Sequence, residues 1–133
     1  MKIELTNTEF RRLIDLVYVG NWVLNSTRTD DRIEDYDIIE EKMFSLCPGN
    51  GMSALTQRFR GHYLPSKAYE DGGIHEAIDE YEYDAFFDIL AEELAMRDMR
   101  DAGDESGESL YRRMEEYLAE FEESGIENLR LSE

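Results

Sequence analysis

His75 and Asp79 have the residue types and spacing that best suit metal chemistry. On a helix they would lie one turn apart on one face, where an imidazole and a carboxylate can share a divalent cation. Further carboxylates flank them in the stretch EDGGIHEAIDEYEYD. The second histidine of a zincin is missing, and Gly72 stands where a di-iron bundle needs glutamate. The pair therefore predicts either a metal-binding protein or metal-dependent hydrolase, or simply a solvated helix face.

A second cluster combines cations with aromatic rings in the segment 58–69. Its members are Arg58, Arg60, His62, Tyr63, Lys67 and Tyr69. Guanidinium groups and aromatic faces suit a phosphate or a stacked base. No glycine-rich phosphate loop accompanies them, and Arg58 and Arg60 cannot share a helical face. The cluster predicts either an anion or nucleotide site through Arg58, Arg60 and Lys67, or internal pairing with the acidic C-terminal half.

Nucleophilic catalysis has little support in the sequence. Cys47 is the only cysteine, and beside Pro48 on an apolar stripe it is typical of a small core residue. A single cysteine excludes an intrachain disulfide and favours a reducing, cytoplasmic compartment. No serine lies in a GxSxG elbow, and no motif requires a cofactor. We therefore expect no cofactor and favour a non-enzymatic protein.

The charge of the chain is concentrated in its C-terminal half. Of the formal net charge of −18, residues 1–66 carry 8 basic and 10 acidic side chains, whereas residues 67–133 carry 6 basic and 22 acidic ones. Such a surface repels nucleic acid and anionic membranes and favours a protein partner with a basic patch. We expect no direct nucleic-acid binding. Solubility, or mimicry of nucleic acid at a basic groove, would explain the same charge.

The N-terminal segment 7–24 has the strongest helix signals. Thr6 and Glu9 have the spacing of a capping box, and apolar residues then occur on nearly every face, which predicts a buried central helix. Gly20 in its interior predicts the close crossing of another helix. The apolar run 13–24 has only 12 residues and includes Asp15 and Asn21, whereas a spanning helix needs about 20 apolar residues. We therefore expect no membrane insertion.

Four further helices are predicted from apolar periodicity and helix-end signals. They cover residues 38–46, 53–60, 74–99 with a break near Tyr83, and 109–124. Asp37 and Glu40 would cap the first of them, and Gly125 would end the last. Residues 61–73 follow no period and predict a long loop, which is a common place for function.

The sequence thus predicts an all-α protein, with residues 1–133 forming a single small domain of about five helices packed around a buried N-terminal helix. For function, it predicts a cytoplasmic interaction or regulatory protein whose acidic half 67–133 contacts a basic protein partner. A homodimer is a further expectation, because several methionines supply adaptable apolar surface. These are Met43, Met52, Met96 and Met99.

Overall fold

The computed structural model describes residues 1–132, and its architecture is mainly helical. The long helices are α1 (Asn7–Asn25), α2 (Glu34–Ser45), α4 (His75–Ala102) and α5 (Gly107–Ser124), while α3 (Lys67–Tyr69) is a single turn. Strands β1 (Thr56–Phe59) and β2 (His62–Pro65) form one antiparallel hairpin. The chain divides into two compact units, Met1–Ile78 and Asp79–Glu133, and the boundary falls within α4.

Helix α1 begins as predicted and is held by its capping box. The Thr6 hydroxyl accepts from the backbone N–H of Glu9 at 3.2 Å, and the Glu9 carboxylate accepts from the N–H of Thr6 at 3.3 Å. The predicted burial of this helix is confirmed for one face only, since Leu16 is 70% exposed and Val23 is 67% exposed. The buried face of α1 carries Phe10, Ile14 and Tyr18, which lie in the core of the first unit. Within residues 1–132 no helix crosses closely at Gly20, because a Cβ at this position would meet nothing within 4 Å.

The core of the first unit forms where the inner face of α1 meets residues from later segments. Its buried members are Phe10, Ile14, Tyr18, Phe44, Cys47, Tyr69 and Ile78. Tyr69 lies edge-on to both Tyr18 and Phe44, with ring centroids 5.2 Å apart in each case. Cys47 is fully buried, which confirms that it is a core residue.

The predicted helix 53–60 was wrong, because a single 3-10 turn at Ser53–Leu55 leads directly into the β-hairpin. The strands pair from Thr56 opposite Pro65 to Phe59 opposite His62. Arg60 and Gly61 connect them with φ values of 51° and 81°, the positive values that a tight two-residue hairpin turn requires. A segment this short is compatible with helix and strand alike, and here its pairing with the neighbouring strand stabilises the strand.

The predicted loop 61–73 was also wrong, because most of this segment is regular. Strand β2 and α3 occupy its first part, and at Glu70–Ile74 the chain makes a kink between α3 and α4, with non-helical backbone at Gly72 and Gly73. Ser66 caps α3 by accepting from the N–H of Tyr69 at 3.1 Å. Gly73, with φ of 105°, then allows the chain to turn into α4.

Two predicted helix boundaries also differ from the structure. Helix α2 begins at Glu34 rather than at residue 38, and its N-cap, Ile33, makes no side-chain hydrogen bond. Helix α4 is continuous, so the predicted break near Tyr83 was wrong. Apolar residues of this helix belong to both units. Ile78 is buried in the core of the first unit, whereas Phe87 contacts Phe121 in the second.

The second unit pairs α4 with α5. Its buried side chains include Ala91, Ala95, Met99 and Phe121. The hydroxyl of Tyr117 donates to Asp98, which also accepts two hydrogen bonds from Arg97. Gly125 ends α5 as predicted, with φ of 57° and its N–H donated to the carbonyl of Phe121 at 2.8 Å. Across residues 1–132, no helix is long and apolar enough to cross a membrane.

Candidate functional site

The predicted anion cluster is carried by the β-hairpin, where its two arginines stack on neighbouring rings. The guanidinium of Arg58 lies 5.1 Å from the ring centroid of Tyr63, and that of Arg60 lies 5.0 Å from that of Phe59. Within the described part of the chain, neither arginine forms an ion pair. The hypothesis that they pair with the acidic half stays a prediction, because most of that half belongs to the second compact unit.

His62, Lys67 and Tyr69, which belong to the same predicted cluster, each contact a different part of the protein. His62 places Nδ1 2.9 Å from Oε1 of Glu41 on α2, and Lys67 lies 3.6 Å from Asp71. Tyr69 is in the core, and its hydroxyl donates to Asp15 at 2.9 Å. Burial, reinforced by Asp15, raises the pKa of Tyr69 well above its usual value. The six residues therefore do not converge on one ligand.

His75 lies among aromatic side chains of the first unit. Its Nε2 is 2.6 Å from the hydroxyl of Tyr18, and its ring lies edge-on to Trp22 at 4.8 Å. Burial is the main cause that raises the pKa of Tyr18 to about 12, so its phenol is protonated at neutral pH. Asp79 is exposed on α4. Among residues 1–132 no group of three or more His, Cys, Asp or Glu side chains could hold a metal ion, and a two-residue site at His75 and Asp79 stays a prediction.

A polar cluster between α1 and α2 was not predicted. Asn21 donates to Asp37 at 3.0 Å and to Glu40 at 3.2 Å, and Arg32 donates twice to Asp37. The hydrogen bond from Arg32 lowers the pKa of Asp37, whereas burial raises the pKa of Glu40. These groups satisfy one another, so the cluster connects two helices rather than presenting free groups to a ligand.

The most acidic surface of the second unit lies at the end of the α4–α5 helix pair that is away from the turn between the two helices. We call residues 79–96 and 114–127 the acidic end. These two stretches contain 13 acidic and no basic residues. The cations of the helix pair all flank the turn instead, and they are Arg97, Arg100, Arg112 and Arg113.

A groove runs between the two helices at the acidic end. It encloses about 470 Å³ and is lined by Tyr83, Asp84, Phe87, Asp88, Leu118, Phe121 and Glu122. Tyr83 and Phe87 are one turn apart, as are Asp84 and Asp88, so an aromatic row and a carboxylate row run side by side along α4. The Tyr83 and Phe87 rings are 4.9 Å apart, and those of Phe87 and Phe121 are 5.4 Å apart.

Several large apolar side chains at the acidic end are exposed. They are Tyr81, Tyr83, Phe86, Ile89 and Ile126. Exposed aromatic groups surrounded by polar residues mark interaction surfaces more often than isolated apolar residues do. The sequence predicted the acidic surface but not the groove, which requires α5 to lie against α4. The repeat of an aromatic–acid pair at residues 83–84 and 87–88 was the available signal.

By its fold, the chain is a mainly helical protein with one small β-hairpin. Comparisons with protein-family models, with curated proteins and with solved structures found no match.

Proposed function

We propose that this is a non-enzymatic interaction protein that binds a basic protein partner through its acidic end. The observation that carries the proposal is the coincidence, in 79–96 and 114–127, of 13 carboxylates, no cation and several exposed aromatic side chains. A solvated face made only for solubility needs the carboxylates but gains nothing from exposed rings. A partner surface that carries cations and apolar groups would contact both.

Without a bound partner, repulsion between its carboxylates destabilises the helices of the acidic end. Like charges one helical turn apart, such as Asp84 and Asp88, destabilise a helix by a few tenths of a kcal/mol per pair. A basic partner relieves this repulsion, and its opposite charge also accelerates association. We place the interaction in the cytoplasm, because the only cysteine, Cys47, is a buried free thiol and suits a reducing compartment.

Charge reversal at matched positions tests the proposal. The variant Glu92→Lys, Glu93→Lys changes two exposed carboxylates of the acidic end, while the control Glu4→Lys, Glu105→Lys makes the same change in net charge elsewhere. Binding of a fluorescent oligolysine peptide to the full chain is measured by anisotropy at several salt concentrations. We expect the first variant to bind more weakly and with a smaller salt dependence, and the control to bind much as the wild type does.

Equal weakening in both variants would mean that only the net charge matters, and would refute a specific acidic end. Absence of binding by the wild type at low salt would refute the proposed function.

A second function, anion or nucleotide binding by the β-hairpin, is favoured by one observation. Arg58 and Arg60 lie on the hairpin without a carboxylate partner within the first unit, Met1–Ile78, and each covers an aromatic ring. Titration with ATP should then show salt-sensitive binding that the Arg58→Ala, Arg60→Ala variant loses. Unchanged binding in that variant would exclude the hairpin as the site.

A further inference from the structure

We propose that the groove at the acidic end binds an arginine side chain of the partner, with the guanidinium against the rings of Tyr83 and Phe87 and beside Asp84 and Asp88. The inference rests on the proposed function and identifies the group that the acidic end recognises. It commits to one occupant, a cationic side chain of a basic protein.

The composition of the groove selects a cation. Its floor is aromatic and its rim carries three carboxylates, from Asp84, Asp88 and Glu122, and none of its lining residues is basic. An apolar side chain would fill the floor but would remove water from the carboxylates without giving them a partner. A phosphate would meet carboxylates on both helices. A planar cation can stack on the aromatic rings of the floor and at the same time donate hydrogen bonds to the carboxylates of the rim.

The same arrangement already occurs once within this chain, with its cation in place. Arg11 lies 5.2 Å from the ring centroid of Tyr69 while its Nη1 donates to Asp15 at 2.6 Å. An aromatic face and an aspartate thus hold one guanidinium between them. The groove presents the same two kinds of group, and its volume is large enough for a long side chain.

Arginine fits this site better than lysine does. Its planar guanidinium stacks on a ring and still directs N–H donors sideways to carboxylates, whereas an ammonium is a compact and strongly hydrated point charge. Arg58 and Arg60 stack on rings in the same way on the β-hairpin.

The test uses the full chain and a labelled oligoarginine peptide, with the matched oligocitrulline peptide as the neutral probe. Citrulline keeps the size and planarity of arginine but has no charge. We compare Tyr83→Leu, which removes the ring, with Tyr83→Phe, which keeps it. The control is Tyr111→Leu, because Tyr111 is 72% exposed against 64% for Tyr83 and lies on the same helix pair but outside the groove.

We expect Tyr83→Leu to weaken oligoarginine binding about fivefold, the effect of one exposed cation–π contact. Tyr83→Phe and Tyr111→Leu should bind as the wild type does, and oligocitrulline should bind far more weakly. Since Tyr83 is largely exposed, its replacement should leave the fold intact, which circular dichroism checks.

Unchanged arginine binding by Tyr83→Leu, or equal weakening by Tyr111→Leu, would overturn the groove proposal. If binding is nevertheless lost in Glu92→Lys, Glu93→Lys, the proposed function stands and only the groove is wrong. If neither oligoarginine nor oligolysine binds the wild type, both proposals fail.

Discussion

Replacing Asn25 with alanine should destabilise the first unit more than any exposed asparagine substitution. Asn25 is only 1% exposed, and its side chain fixes the segment that connects α1 to α2. Its Nδ2 donates to the carbonyl of Ile33 at 3.1 Å and to Oδ1 of Asn21 at 2.7 Å, while its Oδ1 accepts from the N–H of Ile33 at 2.8 Å. Since Ile33 is the N-cap of α2, these bonds determine where that helix begins.

The expected loss follows from these three hydrogen bonds. Each contributes about 1 kcal/mol net, and a buried group left without a partner costs about 1–3 kcal/mol, so Asn25→Ala should lower the free energy of unfolding by about 3 kcal/mol. Asn25→Asp keeps the acceptor for the N–H of Ile33. It replaces the donor with an oxygen that faces two acceptor oxygens, so it should not restore stability.

Urea denaturation followed by tryptophan fluorescence measures this loss directly. Trp22 is the only tryptophan and lies on α1 three residues before Asn25, so its signal reports on the first unit. The control is Asn50→Ala, which removes one exposed hydrogen bond to the carbonyl of Leu46 and should cost less than about 1 kcal/mol. An Asn25→Ala loss no larger than that of the control would refute the reasoning.

Two further predictions concern α1 and the polar cluster. Gly20→Ala should raise the free energy of unfolding by about 0.5–1 kcal/mol, because a Cβ at this helical position meets nothing within 4 Å and alanine loses less backbone entropy. Glu40→Gln should be more stable than the wild type at neutral pH, because burial raises the pKa of Glu40 and penalises its charged form. Lowering the pH through that raised pKa protonates Glu40, so the advantage of Gln should shrink and disappear below the ordinary glutamate pKa.

Urea titrations decide both predictions. Destabilisation by Gly20→Ala would mean that a neighbour approaches α1 there after all. For Glu40→Gln the titrations are repeated across acidic pH, with Glu4→Gln as an exposed control that should show little difference. A Glu40→Gln effect that does not change with pH would show that the hydrogen bond from Asn21, rather than the buried charge, dominates at this position.

The sequence by itself determined the features that depend on neighbours a few residues away. The capping box of Thr6 and Glu9, and the end of α5 at Gly125, are made by hydrogen bonds within one or two helical turns, so their residue types sufficed to predict them. The excess of acid after residue 66 is likewise a property of composition. The predicted cap at Asp37 was wrong because α2 begins three residues earlier, at Glu34. Asp37 therefore lies within the helix, where its carboxylate accepts hydrogen bonds from Arg32 and Asn21.

Only the tertiary structure decided which apolar and polar groups meet. The hairpin exists because residues 56–59 pair with residues 62–65, and a segment of four residues does not by itself reveal this pairing. His75 is hydrogen-bonded to Tyr18, which lies 57 positions earlier in the sequence. A histidine whose spacing from Asp79 suits a metal ion therefore lies among aromatic side chains. The groove joins Tyr83 and Phe87 to Phe121 on another helix. Local patterns contain no information about such distant contacts, because those contacts depend on how separate elements bury their remaining surfaces against one another.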